Sequence, residues 1–266
     1  MFFVKIYYGF INLIKWRREY SLRIKINLQS QNPISLPIHH NTHLQGFIYS
    51  NLNSGLADML HSQGYQLGHR NFKLFTFSRL MGKMSFNPEK GFTFYPPVSL
   101  IISSPKVNIL ENLAQYLVRR KELFLGKNKV WAESIEVMVD KNLTHEVKII
   151  MLSPIVMYST LYRHDGKKKT YYYNPWEKEF SEKLRDNLFK KFTLISDINP
   201  SQDHHFHITP LLVNKSHEKI IFYKQTVIHG WMGQYQLSGS PELITVGYNA
   251  GLGCKNSSGF GCFEIQ

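Results

Sequence analysis

Residues 22–28 show an alternation of apolar and polar side chains. Leu22, Ile24, Ile26 and Leu28 are separated by single polar residues, and this period of two predicts a strand with one buried face. The apolar positions then change to helical spacing, at Leu44, Phe47, Ile48 and Leu52 and again at Leu56, Met59 and Leu60. We therefore predict a helical segment, continued by a further turn or two, that ends near His61.

The same two periods continue through the first half of the chain. Strands are predicted at 73–80, 92–103 and 130–139. Ser104 and Pro105 precede apolar residues at helical spacing; serine is a favoured N-cap residue and proline suits the first helical position. The resulting order, β-α-β-β-α-β, is that of a ferredoxin-like unit.

The second half has a similar order of elements after a polar segment at 140–145. A helix is expected after Asn174 and Pro175, because apolar residues follow there at four-residue spacing. The strands of this half are predicted at 147–158, 205–213, 219–228, 231–237 and 243–248.

The predicted fold class is therefore α+β, with two tandem ferredoxin-like (RRM-like) domains. We assign the first domain to residues 21–142 and the second to residues 146–266. Residues 1–20 precede both domains as an N-terminal extension whose role the sequence leaves open.

A glycine-rich loop at 247–261 follows the last predicted strand and holds five of the 17 glycines. Residues without a Cβ reach positive φ readily and let the backbone approach a ligand closely. Successive N–H groups in such a loop can form a concave nest for phosphate oxygens, and Lys255 adds a charge at its middle. A plain turn between two closing strands accounts for the glycines equally well.

Composition points to a polyanionic partner. The net charge is +13 and the isoelectric point is about 9.6, which suits DNA, RNA or an anionic membrane. The apolar run at 6–14 is far too short to span a bilayer, so no stable membrane association is expected. Cys254 and Cys262 are the only cysteines, which makes a disulfide framework improbable and a reducing cytoplasm the expected location.

Histidines offer the first candidates for chemistry. His39, His40 and His43 cluster between the first strand and helix, and His61 and His69 follow the helix. His40 and His43 lie close enough in sequence to share a metal ion, but a hydrolytic two-metal site would need accompanying carboxylates. We therefore predict neither a metal nor another cofactor.

The glycine-rich loop also carries a family resemblance. Its pattern is Gly-Leu-Gly at 251–253, five residues that include Lys255, and Gly-Phe-Gly at 259–261. This pattern resembles the terminal motif of the CRISPR-associated endoribonucleases that cut repeat RNA, the sixth Cas family of the repeat-associated RNA-binding superfamily. Five further segments are similar to that family in the same order, at 43–49, 56–61, 73–78, 152–155 and 177–180.

The resemblance implies a metal-independent endoribonuclease that cleaves CRISPR precursor RNA within its repeats. Its catalytic tyrosine, histidine and lysine match Tyr49, His61 and Lys73. Attack by the 2′-OH would leave a 2′,3′-cyclic phosphate and a 5′-OH, with a histidine transferring protons and a lysine stabilising the transition state. Reserve candidates for the catalytic histidine are His69, His39 and His40.

Repeat RNA is the partner that the resemblance implies, with a CRISPR effector complex as a further one and a monomer or homodimer as the oligomeric state. A non-catalytic repeat-binding scaffold in a ribonucleoprotein is the alternative function. In that case Tyr49 would be a core-packing residue, His61 an exposed helix-end residue and Lys73 a strand-edge residue. The predicted RNA contacts are Gly251, Gly253, Lys255, Gly259, Gly261, Lys167, Lys168 and Lys169.

Overall fold

The computed structural model describes residues 22–139, 141, 143–162, 164–197 and 199–266. The predicted extension at 1–20 and part of the polar segment at 140–145 lie outside these residues. The described part contains two larger antiparallel sheets, one in each half of the chain, and three two-stranded ones. Together with their helices they confirm the predicted α+β fold of two tandem ferredoxin-like domains.

The first domain is built around a central strand at its N-terminal end. This strand, β1, pairs antiparallel with β7 and with β9, and the sheet has the order β2-β7-β1-β9-β8, with β5 and β6 also paired to β7. The elements in chain order are β1 Leu22–Gln29, β2 Ile34–Leu36, α1 Asn41–Ser50, α2 Ser54–Ser62, β3 Tyr65–Leu67, β4 Arg70–Phe72, β5 Thr76–Phe77, β6 Met81–Asn87, β7 Gly91–Ser104, α3 Val107–Arg119, β8 Leu123–Leu125 and β9 Asn128–Val137.

The second domain has a smaller sheet of the same type. Its strand order is β13-β16-β10-β17, and two hairpins, β11–β12 and β14–β15, stand outside that sheet. The elements in chain order are β10 Glu146–Met151, β11 Tyr158–Tyr162, β12 Lys168–Tyr172, α4 Lys178–Ser196, β13 Phe206–Leu212, β14 Glu218–Tyr223, β15 Thr226–Trp231, β16 Gln234–Gly239, α5 Pro241–Ala250 and β17 Phe263–Ile265.

At its first residues, the second face of β1 contacts the other domain. The alternating pattern predicts that Arg23 faces solvent, yet it is 1% exposed. Its guanidinium group donates hydrogen bonds of 2.6 Å to the carbonyl oxygen of Phe263 and 3.2 Å to that of Tyr248, and it lies 4.1 Å from the centre of the Tyr248 ring. Because a buried charge needs such partners, Arg23 ties the two domains together.

The strand predicted at 243–248 is wrong, because these residues form helix α5. Pro241 occupies the start of this helix after Ser240, and Glu242 lies in the first turn, which suits the positive end of the helix dipole. Most side chains of the helix are buried, so its apolar run shows no amphipathic period. A short continuous apolar run does not distinguish a buried strand from a buried helix.

Other boundaries also differ from the predictions. The segment 219–228 is not one strand but most of the β14–β15 hairpin, which turns at Lys224 and Gln225, both with positive φ. The strand predicted at 73–80 is reduced to β5. Among the described residues, no helix combines the length and apolar character needed to cross a bilayer.

Candidate active site

Two short helices bring Tyr49 and His61 together. Tyr49 lies in the last turn of α1, and Asn53 then caps α2 by accepting a hydrogen bond of 2.7 Å from the Leu56 amide, as favoured for an N-cap asparagine. The reversal of direction returns His61 to the end of α1. The rings of Tyr49 and His61 have centroids 6.4 Å apart and planes at 90°.

Lys73 reaches the same place through a tight turn and a hairpin. Gly64 follows α2 with φ of +63°, and a Cβ there would lie 2.5 Å from the Phe72 carbonyl oxygen, so the close return of the chain requires glycine. After the β3–β4 hairpin, Lys73 Nζ donates a hydrogen bond of 3.1 Å to the carbonyl oxygen of His61. The structure thus brings together all three predicted catalytic residues.

The surroundings of these residues alter their acid–base properties. Burial, with the nearby Tyr223 hydroxyl as a lesser cause, raises the pKa of Tyr49 to about 12. Tyr49 is therefore a neutral phenol near neutral pH, suited to donating a hydrogen bond and poorly suited to acting as a base. Burial lowers the pKa of Lys73 from its ordinary value, because removal from water disfavours the ammonium form.

A cleft of about 570 Å³ opens between the two domains next to Lys73. The first domain contributes 70–75, and the second contributes residues of β11, α4 and the glycine-rich loop. Its basic lining residues are Arg70, Lys73, Lys191 and Lys255. A concentration of positive charge along a cleft favours a phosphate backbone as ligand. Arg70 is a cleft residue that the sequence pattern does not predict, although it lies on the short segment between His61 and Lys73.

Lys191, on α4, holds the glycine-rich loop in place through hydrogen bonds from its ammonium group. Its side chain is buried, and Nζ donates hydrogen bonds of 2.6 Å to the Gly251 carbonyl oxygen, 3.0 Å to that of Gly253 and 2.7 Å to Asn256 Oδ1. Burial lowers the pKa of Lys191 to about 7. The sequence indicates its burial only through its position on the apolar stripe of α4, three residues after the buried Leu188.

The glycines of the loop face protein atoms. A Cβ at Gly253 would lie 2.3 Å from the Val156 carbonyl oxygen, and one at Gly259 would lie 2.6 Å from the Phe77 ring in the first domain. Gly251 and Gly261 have equally close protein neighbours. These glycines therefore allow the loop to pack between the domains, and direct contact of their backbone with RNA stays a prediction.

The loop is anchored to the helix that carries Tyr49. Asn41 Nδ2 donates a hydrogen bond of 2.9 Å to the Ser258 carbonyl oxygen, and Gln45 Nε2 donates one of 2.7 Å to that of Ser257. Gln45 lies one turn before Tyr49 in α1. Hydrogen bonds from α1 therefore link the glycine-rich loop to the helix that carries one of the candidate catalytic residues.

The predicted lysine contacts are located in two different places. Lys255 lines the cleft, with Nζ 5.3 Å from the centre of the Tyr158 ring, and burial lowers its pKa. Lys167, Lys168 and Lys169 are exposed on the β11–β12 hairpin and do not line the cleft. Their contact with RNA stays a prediction.

The reserve histidines have other surroundings. His40 is buried against Phe92 and Phe94, Nδ1 lies 3.1 Å from the Pro37 carbonyl oxygen, and burial lowers its pKa. His39 packs against a ring of the β14–β15 hairpin, and His69 is exposed in the turn between β3 and β4. Across the described ranges, no three His, Cys, Asp or Glu side chains form a group suited to a metal ion.

Comparison with known proteins assigns both halves of the chain to one family. The family description "CRISPR-associated protein Cas6, N-terminal" matches residues 35–136, and "CRISPR associated protein Cas6, C-terminal" matches residues 137–265. The chain is 29% identical to CRISPR-associated endoribonuclease Cas6 1 of Methanocaldococcus jannaschii over 248 residues, 91% of each protein. It is 26% identical to a CRISPR-associated endoribonuclease-like protein Cas6nc of Pyrococcus horikoshii over 253 residues, 92% of this chain and 99% of that protein.

Solved structures agree with this assignment of the fold. The product of a Cas6-related gene from Pyrococcus furiosus superposes with a TM-score of 0.80 at 24% identity, covering 92% of this chain and 98% of that one. A RAMP protein described as binding different RNA substrates superposes with a TM-score of 0.77 at 25% identity, covering 92% and 99%.

Proposed function

The chain belongs to the Cas6 family of CRISPR-associated proteins, and from this premise we propose that it is a metal-independent endoribonuclease that cleaves CRISPR precursor RNA within its repeats. The observation that carries this proposal is the convergence of Tyr49, His61 and Lys73 beside a basic cleft between the domains. Relatives named as endoribonucleases support the reaction class.

The proposed reaction uses the RNA as its own nucleophile. The 2′-OH upstream of the scissile phosphate attacks the phosphorus, the bond from phosphorus to the 5′-oxygen breaks, and the products are a 2′,3′-cyclic phosphate and a 5′-OH. Holding the 2′-OH in line with the leaving oxygen is the main requirement, because correct orientation supplies much of the rate.

Each of the three side chains has a role that fits its surroundings. His61, exposed at the end of α2, gives a proton to the leaving 5′-oxygen or takes one from the 2′-OH. The ammonium group of Lys73 stabilises negative charge on the pentacoordinate phosphorus, with the N–H groups that its bond to His61 leaves free. Tyr49, with its raised pKa, acts as a neutral hydrogen-bond donor that positions the reacting group.

The cleft provides a route for the RNA backbone to these residues. Lys73 is both a candidate catalytic residue and part of the cleft lining, so a phosphate chain bound along Arg70 and Lys255 would lead directly to the site. Such contacts bind RNA with a marked salt dependence.

Cleavage of end-labelled CRISPR repeat RNA tests the proposal. We expect the full rate in excess EDTA and a downstream product that polynucleotide kinase phosphorylates without prior phosphatase treatment. RNA with one 2′-deoxy sugar upstream of the scissile phosphate should bind and stay intact. Cleavage of that deoxy RNA, or a rate that depends on added metal, would contradict the mechanism.

A repeat-binding scaffold without cleavage is the second candidate. The similarity to an endoribonuclease-like relative and to a protein described as binding different RNA substrates favours it. Tight binding of repeat RNA with no cleavage by the wild-type protein, under conditions where a cleaving relative is active, would select this alternative.

A further inference from the structure

A second pocket lies in the C-terminal domain, outside the cleft that contains the candidate active site. It measures about 670 Å³ and is bounded by the β11–β12 hairpin, the β14–β15 hairpin and the start of α4. Its size falls within the range of roughly 300–1,000 Å³ that is typical of ligand pockets. None of the predicted site residues lines it.

This pocket and the cleft lie next to each other across the width of the β11–β12 hairpin. Tyr158 of β11 lines the cleft, and Tyr172, its cross-strand partner in β12, lines the pocket, with ring centroids 5.7 Å apart. Thr160 and Thr170 are likewise cross-strand partners, and Thr160 lines the cleft while Thr170 lines the pocket. Neighbouring strands are only about 5 Å apart, so a chain bound in the cleft needs to cross a single two-stranded ribbon to reach the pocket.

The pocket presents aromatic surface to solvent. Trp176 is 54% exposed although its ring packs against that of Trp231 in a T-shaped pair, with centroids 5.2 Å apart and planes at 86°. Tyr171 is 38% exposed. Large aromatic rings that stay accessible on a rigid support are suited to stacking with a flat ligand.

The polar groups of the pocket distinguish it from the cleft. His229 Nδ1 lies 2.7 Å from Glu218 Oε1, and Glu177 accepts a hydrogen bond of 2.9 Å from the Tyr171 hydroxyl. The pocket lining contains two carboxylates, Glu177 and Glu218, and one lysine, Lys215. It therefore attracts phosphate less than the basic cleft does. Carboxylate oxygens and imidazole nitrogen can instead bond to the edge of a base.

We propose that this pocket binds one unpaired base of the repeat RNA, stacked on Trp176, while the adjoining phosphates follow the basic cleft. The inference rests on the proposed function, because it assumes that RNA occupies the cleft. It adds a base-binding subsite to a protein whose other predicted contacts are with the RNA backbone.

The test is an abasic scan of the repeat RNA combined with Trp176 variants. Each RNA carries a 2′-deoxy sugar at the scissile position, so that binding is measured without cleavage. In the wild type we expect one abasic position, or two adjacent ones, to weaken binding by roughly 5- to 150-fold, the range for loss of one stacked base. Trp176→Ala should show a similar loss with intact RNA and no further loss at that position, and Trp176→Phe should retain most of the affinity.

A matched control separates this effect from a general change in the hairpin. Tyr162 is 70% exposed on β11 and lines neither pocket, so Tyr162→Ala should leave the affinity and the abasic profile unchanged. If Trp176→Ala leaves both unchanged, or weakens binding equally at every abasic position, the subsite is wrong. Failure of the wild type to bind repeat RNA at all would instead overturn the proposed function.

Discussion

Lys73 Nζ donates a hydrogen bond of 3.1 Å to the main-chain carbonyl oxygen of His61. The bond joins a residue just after a hairpin to the last turn of a helix, and it holds a cation at the main chain of residue 61. An ammonium group has three N–H donors, so two remain for a phosphate group. If this site cleaves RNA, the two side chains should have separable effects.

Replacement of His61 by alanine should remove proton transfer with little effect on binding. We expect the single-turnover cleavage rate to fall by about 10²- to 10⁴-fold, the usual range for loss of a general acid or base. The affinity for 2′-deoxy repeat RNA should change little, because Lys73 bonds to the main chain of residue 61 and not to its side chain. His69→Ala, at an exposed turn, is the matched control; a normal rate in His61→Ala with a slow rate in His69→Ala would reverse the assignment.

Lys73 should set an alkaline limit to the reaction. Its pKa is lowered by burial, so as pH rises the stabilising charge is lost earlier than it would be for an exposed lysine. Arginine stays charged throughout this range. In Lys73→Arg we therefore expect a lower rate at neutral pH, because the donor geometry changes, and an alkaline decline that begins at higher pH.

A pH–rate profile under single-turnover conditions checks this expectation. Lys73→Met should bind RNA somewhat less tightly and cleave it slowly at every pH. An identical alkaline decline in the wild type and Lys73→Arg would show that another group titrates, and Lys73 would then be only a binding residue.

Local pattern predicts the fold class but not the contacts between the domains. The alternation around Ile24 predicts β1 correctly, whereas it places Arg23 in solvent because no local signal reveals that a second domain covers that face. The pattern predicts a strand in place of helix α5 because its apolar residues, such as Leu243 and Ile244, are buried on several sides and show no helical period.

The candidate site is predicted by family resemblance and not by spacing. Nothing in the distance of 12 residues between His61 and Lys73 indicates that a β3–β4 hairpin folds the chain back on itself. Lys191 was missed for a related reason: a lysine on an apolar stripe is usually a boundary residue, and its acceptors at Gly251 and Gly253 come from a loop far away in sequence.

Replacement of Gly253 should destabilise the protein, because this residue packs the glycine-rich loop against the main chain of Val156. Its φ is +70°, and a Cβ would lie 2.3 Å from a main-chain oxygen that cannot move easily. Gly253→Ala is expected to lower the free energy of unfolding by about 2–5 kcal/mol, combining backbone strain with overpacking. Gly166 is the control, because its φ is +75° but a Cβ added there would meet no atom within 4 Å; Gly166→Ala should cost only about 1–2 kcal/mol. Equal losses in chemical denaturation would contradict the packing role.

Lys191 should make stability depend on pH. Its pKa is about 7 in the folded protein and about 10.4 in an unfolded chain. Between these values the unfolded state binds more protons, so this residue makes the free energy of unfolding rise with pH, by at most about 1.4 kcal/mol per pH unit. Below about pH 7 its contribution is constant, because both states are protonated.

Denaturant unfolding of the wild type and Lys191→Met from pH 6 to 9.5 measures this contribution. The difference between their free energies of unfolding should change in favour of the wild type as pH rises above about 7. Lys178→Met, at an exposed position on the same helix, should follow the wild type throughout. Parallel curves for the wild type and Lys191→Met would show that Lys191 is not titrating in this range.

Lys255 places its charge on the cleft wall above the Tyr158 ring. Lys255→Met keeps the length of the side chain and removes one charge, and methionine adopts the same backbone conformation at no additional cost, since the φ of +59° is unfavourable for either residue. If Lys255 contacts a phosphate, binding of 2′-deoxy repeat RNA should weaken to a similar extent for different RNA sequences, and the slope of log K against log salt should flatten by about one unit.

His61→Ala should leave that slope unchanged, so the two variants separate binding from chemistry. Lys178→Met provides the charge-matched control outside the cleft. An unchanged slope in Lys255→Met would leave Lys255 as a residue that holds the loop against Tyr158. Arg70, which is exposed, and Lys73, which is half-buried, would then be the cleft cations to test for phosphate contact.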